Sequence, residues 1–189
     1  MVLPDEISLE ADLGGGWVQT SPAWIQTSPE WVQNEGWVDV SEDVTLGAQA
    51  LECEYGIPGS GPLDRVASTG TLAWAMNNSA RNSAGLLGYY TPGHANARAG
   101  WEIGIAMRFS VLSTTRRVKF RGTLVSVQPD VGVRRRRAVL CTALDWMDEA
   151  ARSLVKDTTV QTNQRSDQLV TTIVTQCVGR QPVATDYET

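Results

Sequence analysis

The sequence predicts a mainly β protein: a small antiparallel β-barrel, two helices capping it near the C-terminus, and an extended N-terminal arm built from a tryptophan repeat. Three observations carry that prediction. Apolar and polar residues alternate over several segments between residues 50 and 144, as in half-buried strands, with no helices expected between them. Prolines interrupt the tryptophan repeat at equivalent places. Helical patterning with capping signals is confined to the region after residue 144. The division that follows is an arm over residues 1–36, a barrel over 37–144, and a helical cap or the start of a further domain over 145–189.

In the arm, the units begin at Trp17, Trp24, Trp31 and Trp37, with a spacing of seven that shrinks to six at the last step. A heptad suggests a coiled coil, but Pro22 and Pro29 would each break a helix at a cost of about 3 kcal/mol. Trp followed by a β-branched residue and Gln is strand-like, and Ser-Pro is a turn, so each unit reads as a short strand and a bend. The four indoles can form a ladder packed on the domain or on a neighbouring subunit, or they can serve as stacking platforms for sugars or bases. No cation lies among them, which weighs against bases.

The first barrel strand is the alternation of Leu51, Cys53, Tyr55 and Ile57 with Ala50, Glu52, Glu54 and Gly56, ended by Pro58-Gly59-Ser60-Gly61-Pro62. A second places Leu72, Trp74 and Met76 on one face and stops at Asn77-Asn78. Residues 79–100, rich in Asn, Ser, Ala and Gly, read as a long ordered loop, the kind of segment that often carries function or partner contacts. Three strands follow: Trp101 to Leu112, with Ile103, Ile105, Met107 and Phe109 alternating, then Val118 to Val127, then Val133 to Leu144. Pro129-Asp130-Val131-Gly132 reads as a tight hairpin between the last two.

Asp145 can cap a helix from Trp146 to Leu154, with Asp148 and Glu149 in its first turn and Arg152 late, as the helix dipole favours. Ser166 or Asp167 starts a second, in which Leu169, Ile173 and Cys177 are spaced by four and Gly179 supplies the stop.

The charges are unevenly placed. Residues 1–64 hold twelve acids and no Lys or Arg; residues 65–189 hold nine acids and all sixteen bases. Such a split can drive head-to-tail association or close within one fold. The run Arg134-Arg135-Arg136-Arg137 admits a solvated hairpin end, salt bridges to the acidic half, a subunit contact, or phosphate binding. On a strand its side chains would alternate between faces, halving any single patch.

Chemistry-bearing patterns are sparse, and no catalytic residue, cofactor or metal site is expected. There is no nucleophile elbow and no phosphate-binding glycine loop with its lysine. Asp148 and Glu149 are adjacent on a helix and diverge, so they cannot act as a paired acid and base. His94 is the only histidine and has no neighbouring Cys or acid; Cys53, Cys141 and Cys177 have no zinc-ligand spacing and read as free thiols. The acidic N-terminus lacks the basic and apolar regions of a signal peptide, and no apolar run is long enough to span a membrane.

Several stations recur in a familiar order: Trp37-Val38-Asp39-Val40-Ser41; Asp64 to Trp74 followed by Asn77-Asn78; Gly88-Tyr89-Tyr90-Thr91-Pro92; Ala99-Gly100-Trp101-Glu102-Ile103; Phe120-Arg121-Gly122-Thr123-Leu124; and Cys141-Thr142-Ala143-Leu144-Asp145-Trp146. The series resembles the first domain of minor tail proteins of long-tailed bacteriophages and prophages, similar to tail-tip or baseplate hub proteins. The resemblance implies a hub-type β-barrel whose copies, often three, form a ring at the distal end of the tail tube. Such a ring contacts the tube or distal tail protein, surrounds the end of the tape-measure protein and anchors tail fibres or receptor-binding proteins. It implies a virion location after synthesis in the host bacterial cytoplasm, and DNA contact at most transient, through a central channel. On that basis Leu72, Trp74, Ile103, Ile105, Phe120 and Leu124 are expected in the core. Tyr89, Tyr90 and Arg134 to Arg137 are expected at subunit contacts, together with Trp17, Trp24 and Trp31 of the arm and Trp37 at the start of the barrel. The rival readings are a carbohydrate-binding β-sandwich in a receptor-binding protein, using exposed aromatic faces, and a hydrolase with its site in the loop of residues 79–100, which loss of His94 would abolish.

Overall fold

The computed structural model describes residues 7–14, 17–19, 31–33, 36–56, 68–112, 114–130 and 137–153. They form nine strands and one α-helix: β1 (Ile7–Asp12), β2 (Trp17–Gln19), β3 (Trp31–Gln33), β4 (Trp37–Asp39), β5 (Glu52–Gly56), β6 (Ser68–Asn77), β7 (Ala106–Leu112), β8 (Arg116–Pro129), β9 (Ala138–Asp145) and α1 (Trp146–Arg152). Seven of the strands make one antiparallel sheet in the order β4-β1-β7-β8-β9-β6-β5. β7, β8 and β9 are a meander, and the long link from β6 returns the chain so that β6 lies beside β9, a Greek-key arrangement.

The sheet is mainly β as expected but is not a closed barrel. Its end strands β4 and β5 do not pair with each other. The chain after β4 instead crosses the gap: Val40 N–H donates to Leu9 C=O at 2.9 Å, and Thr45 N–H donates to Ala75 C=O at 2.8 Å. Between them lie a 3-10 turn at Ser41–Asp43 and a single bridge, Val44 to Met76. A one-residue bridge replaces the ladder that closure needs. Register shifts at Phe109/Ser110 in β7 and Leu124/Ser126 in β8 add local twist to the curl.

The strand alternation holds where it was clearest. Leu72, Trp74 and Met76 of β6, Met107 and Phe109 of β7, Phe120 and Leu124 of β8, and Val139, Cys141 and Ala143 of β9 all face one core. Leu9 and Ala11 of β1 join them. β1 therefore belongs to the sheet, although residues 1–36 read as an arm. Ile7, Leu9 and Ala11 alternate with Ser8, Glu10 and Asp12, a strand pattern masked by the acids around it.

Three other expectations are corrected. The strand expected from Trp101 begins at Ala106, because Gly100 and Gly104 take φ of 77° and 103° and break the extended run. Ile103, expected in the core, is consequently 60% exposed, whereas Ile105 packs against the core. At Gly100 any side chain would also collide with the Leu13 carbonyl. The connection between β8 and β9 is not the tight Pro129–Gly132 hairpin: Pro129 pairs with Val139, so the link is residues 130–137. Arg137 accordingly precedes β9 rather than lying on it.

The helix after Asp145 forms, with Asp145 Oδ1 accepting from Met147 N–H at 3.0 Å and Arg152 bound to Asp148 at 3.0 Å. It ends at Arg152, two residues before the expected stop. The Pro58–Pro62 break, the second helix with Leu169, Ile173 and Cys177, and Gly179 lie outside the described residues.

Candidate interaction surface

One end of the curled sheet is plugged by the loop between β6 and β7. Asn78 starts it: its amide donates to Thr91 Oγ1 at 2.7 Å, its Oδ1 accepts from Tyr90 N–H at 2.9 Å, and its backbone N–H donates to Arg137 C=O at 3.0 Å. The Tyr90 ring is fully buried, edge-on to Trp101 and Tyr89 with centroids 4.9 and 5.1 Å away. Its hydroxyl donates to Asp43 Oδ2 at 2.5 Å and accepts from an Arg98 Nη1 at 2.9 Å. Asp43, also buried, further accepts from Ser83 N–H at 2.7 Å and Ser83 Oγ–H at 2.6 Å. Burial pushes the Tyr90 phenol well above its ordinary range, the Asp43 hydrogen bond and charge add to this, and Arg98 opposes it.

A second cluster occupies the outer face of β4, β1 and β7. The register aligns Asp39, Glu10 and Arg108 across three strands. Arg108 grips Glu10 in bidentate fashion, Nε at 2.5 Å and Nη2 at 3.1 Å, and Arg116 approaches the same carboxylate at 3.2 Å. Trp37 lies against the other side of Arg108, whose guanidinium carbon is 4.4 Å from the ring centroid. Ser8 accepts from Arg116 at 2.6 Å and donates to Asp39 at 3.2 Å.

These two clusters place the expected contact residues very differently. Trp17 and Trp31 lie in a separate two-stranded sheet, β2 with β3. Trp37 is half-buried, with one face against Arg108. Tyr89 is half-buried, and Tyr90 is interior, so its ring is core rather than contact surface. Trp24 and Arg134 to Arg136 lie outside the described residues; Arg137 is exposed. Arg137 borders an open depression of about 210 Å³ together with His94, Asn78, Thr91, Gly88 and Asp130. His94 is exposed and its Nδ1 accepts from Asn96 N–H at 3.1 Å; Gly88, at φ 79°, leaves room for the ring. Burial raises the pKa of both Cys53 and Cys141, so neither is a ready nucleophile. Among the described residues no group of His, Cys, Asp or Glu is arranged to hold a metal ion, and no helix is long and apolar enough to cross a membrane.

The residues that organise both clusters, Asp43, Arg98, Glu10 and Arg108, carry no motif. Their only sequence signal is the placement of Glu10 at an outward position of a strand-period segment. Comparison with protein-family models, with curated proteins and with solved structures gives no significant match to this chain.

Proposed function

We propose that the protein is a structural component of a phage tail tip or baseplate hub, its copies forming a ring at the end of the tail tube, with no catalytic role. The observation that carries this reading is the open sheet. Among the described residues no strand pairs with the outer margin of either end strand, β4 or β5, the kind of surface through which strand-built assemblies add neighbours. Exposed side chains follow the same margins: Val38 on β4 and Tyr55, 65% exposed, on β5. The stations of the resemblance support it further, since Trp37–Asp39 forms β4, Phe120–Leu124 lies in β8, and Cys141–Trp146 is the junction of β9 with α1.

In this reading the two polar clusters keep each subunit rigid, while the margins, the tryptophan arm and the Arg134–Arg137 run face neighbours. The partners are further copies of the chain, the tube or distal tail protein, the tape-measure protein, and fibre or receptor-binding proteins in the virion. The stacking of Trp37 on Arg108 occupies one face of that indole, so this tryptophan offers less to a sugar than the carbohydrate-binding alternative requires. Negative-stain electron microscopy of the purified full chain tests the proposal. Rings with a central channel are the expected result; uniform single subunits, with tryptophan fluorescence saturating on glycan addition, would favour the alternative.

A further inference from the structure

β2 and β3 are the same tripeptide, Trp-Val-Gln, and they pair antiparallel with Trp17 opposite Gln33, Val18 opposite Val32 and Gln19 opposite Trp31. Exchanging the two strands leaves the opposed residues unchanged. A strand of this sequence therefore has a demonstrated partner, and that partner is another strand of the same sequence.

The pair is a sheet of its own, apart from the seven-stranded one. Two strands of three residues are marginal in isolation, since independent stability usually needs at least about three strands or packing on another element. Neither strand contains a charge or a proline, the residues by which edge strands commonly discourage further pairing.

We infer, resting on the ring reading above, that this ribbon is a contact between copies of the chain: β3 of one copy adds antiparallel beside β2 of the next. The alternation of direction continues, and the opposed residues are again Trp with Gln and Val with Val. Hydrogen-bonded and non-hydrogen-bonded pairs interchange between the inner and outer sides of a strand, as an antiparallel ladder requires. Valine positions stay in one row, and Trp and Gln positions alternate in the rows on either side. Because the contact joins two different edges it is head-to-tail, and a head-to-tail contact that closes makes a ring without leftover edges. Three copies would join their ribbons into a six-stranded annulus.

The test uses the full chain with Cys53→Ser and Cys177→Ser, leaving Cys141 buried in the core. Chains carrying Val18→Cys and chains carrying Val32→Cys, distinguished by tags, are co-expressed and oxidised. The expected result is a disulfide joining unlike chains and none joining like chains, directly opposed strand positions being close enough to bridge. Val18→Cys chains linking to each other would show a two-fold dimer contact instead and overturn the inference. An intrachain link in a Val18→Cys, Ile25→Cys variant would show that the chain's own Trp24-Ile25-Gln26 unit covers β2, and would overturn it as well. Loss of the unlike-chain link in a protein that keeps its oligomeric mass refutes the ribbon contact and leaves the ring reading standing; a monomeric mass removes both.

Discussion

The two polar clusters solve one problem in opposite ways. Each ties an acid from the first third of the chain to an arginine far along it: Asp43 to Arg98 inside the plugged end, Glu10 to Arg108 and Arg116 on the outer face. On the outer face the Glu10 carboxylate is itself buried, but its partners are not: the Arg108 and Arg116 side chains keep 20% and 45% exposure, and carboxylate and guanidinium touch directly. Inside, a neutral phenol stands between the charges, donating to one and accepting from the other. Direct ion pairs are costly to bury, because each partner gives up its water. A hydroxyl relay satisfies both groups while letting a tyrosine ring fill the core. The same comparison bears on the charge split of the sequence, which admitted closure within the fold or between copies: Glu10 and Asp43 close within it, while Glu42, Glu52 and Glu54 remain on the surface.

The sharpest way to break the contrast is at its buried end. Asp43→Ala leaves the Tyr90 hydroxyl and both Ser83 donors without their acceptor, and should cost about 3–5 kcal/mol, the range for removing one partner of a buried charged network. Urea unfolding measures it, and hydrogen exchange should report loss of protection across residues 78–101 rather than across β1 and β7. Glu10→Gln should cost less, about 1–3 kcal/mol, because the arginines it abandons can reach water. Its cost should depend on salt more than that of Asp43→Ala, because Arg108 and Arg116 are partly exposed.

Tyr90→Phe should cost about 1–2 kcal/mol at neutral pH, as Ser83 still holds Asp43. Its signature is pH dependence. The folded-state pKa of Tyr90 is raised above the ordinary value of 10.0, so the stabilisation is complete below that pH and is lost as the phenol ionises in unfolded chains above it. Wild-type stability should therefore fall above about pH 10 by up to roughly 1.4 kcal/mol per pH unit more than that of Tyr90→Phe. Parallel unfolding curves for the two proteins from pH 9 to 11 would contradict the relay. At the small end, Arg152→Ala removes a helix-surface pair whose arginine side chain is 70% exposed, and should change stability by no more than about 0.5 kcal/mol.

How much of this was legible beforehand depended on whether the signal was local. β6, β8, the core half of β9 and the Asp145 cap could be read because their periodicity and capping chemistry sit within a few residues. β1 was hidden by composition: four acids in and around a six-residue strand, Asp5, Glu6, Glu10 and Asp12, resemble a tail until Leu9 and Ala11 meet the core. The turn at Gly104 was hidden by alternation, since Ile103 and Ile105 continue the period of Met107 and Phe109 although the backbone does not. The open sheet was beyond local reading, because closure depends on whether two distant edge strands meet. Likewise Tyr90 and Tyr89 are indistinguishable as neighbours in a loop; only Asp43, 47 residues away, makes one of them interior.

The claim on which the functional account rests is self-assembly, and native mass spectrometry of the full chain at several low-micromolar concentrations tests it most directly. The account predicts one closed homo-oligomer, three copies, whose mass does not grow with concentration. A monomer throughout the series, or masses climbing without limit, would contradict it.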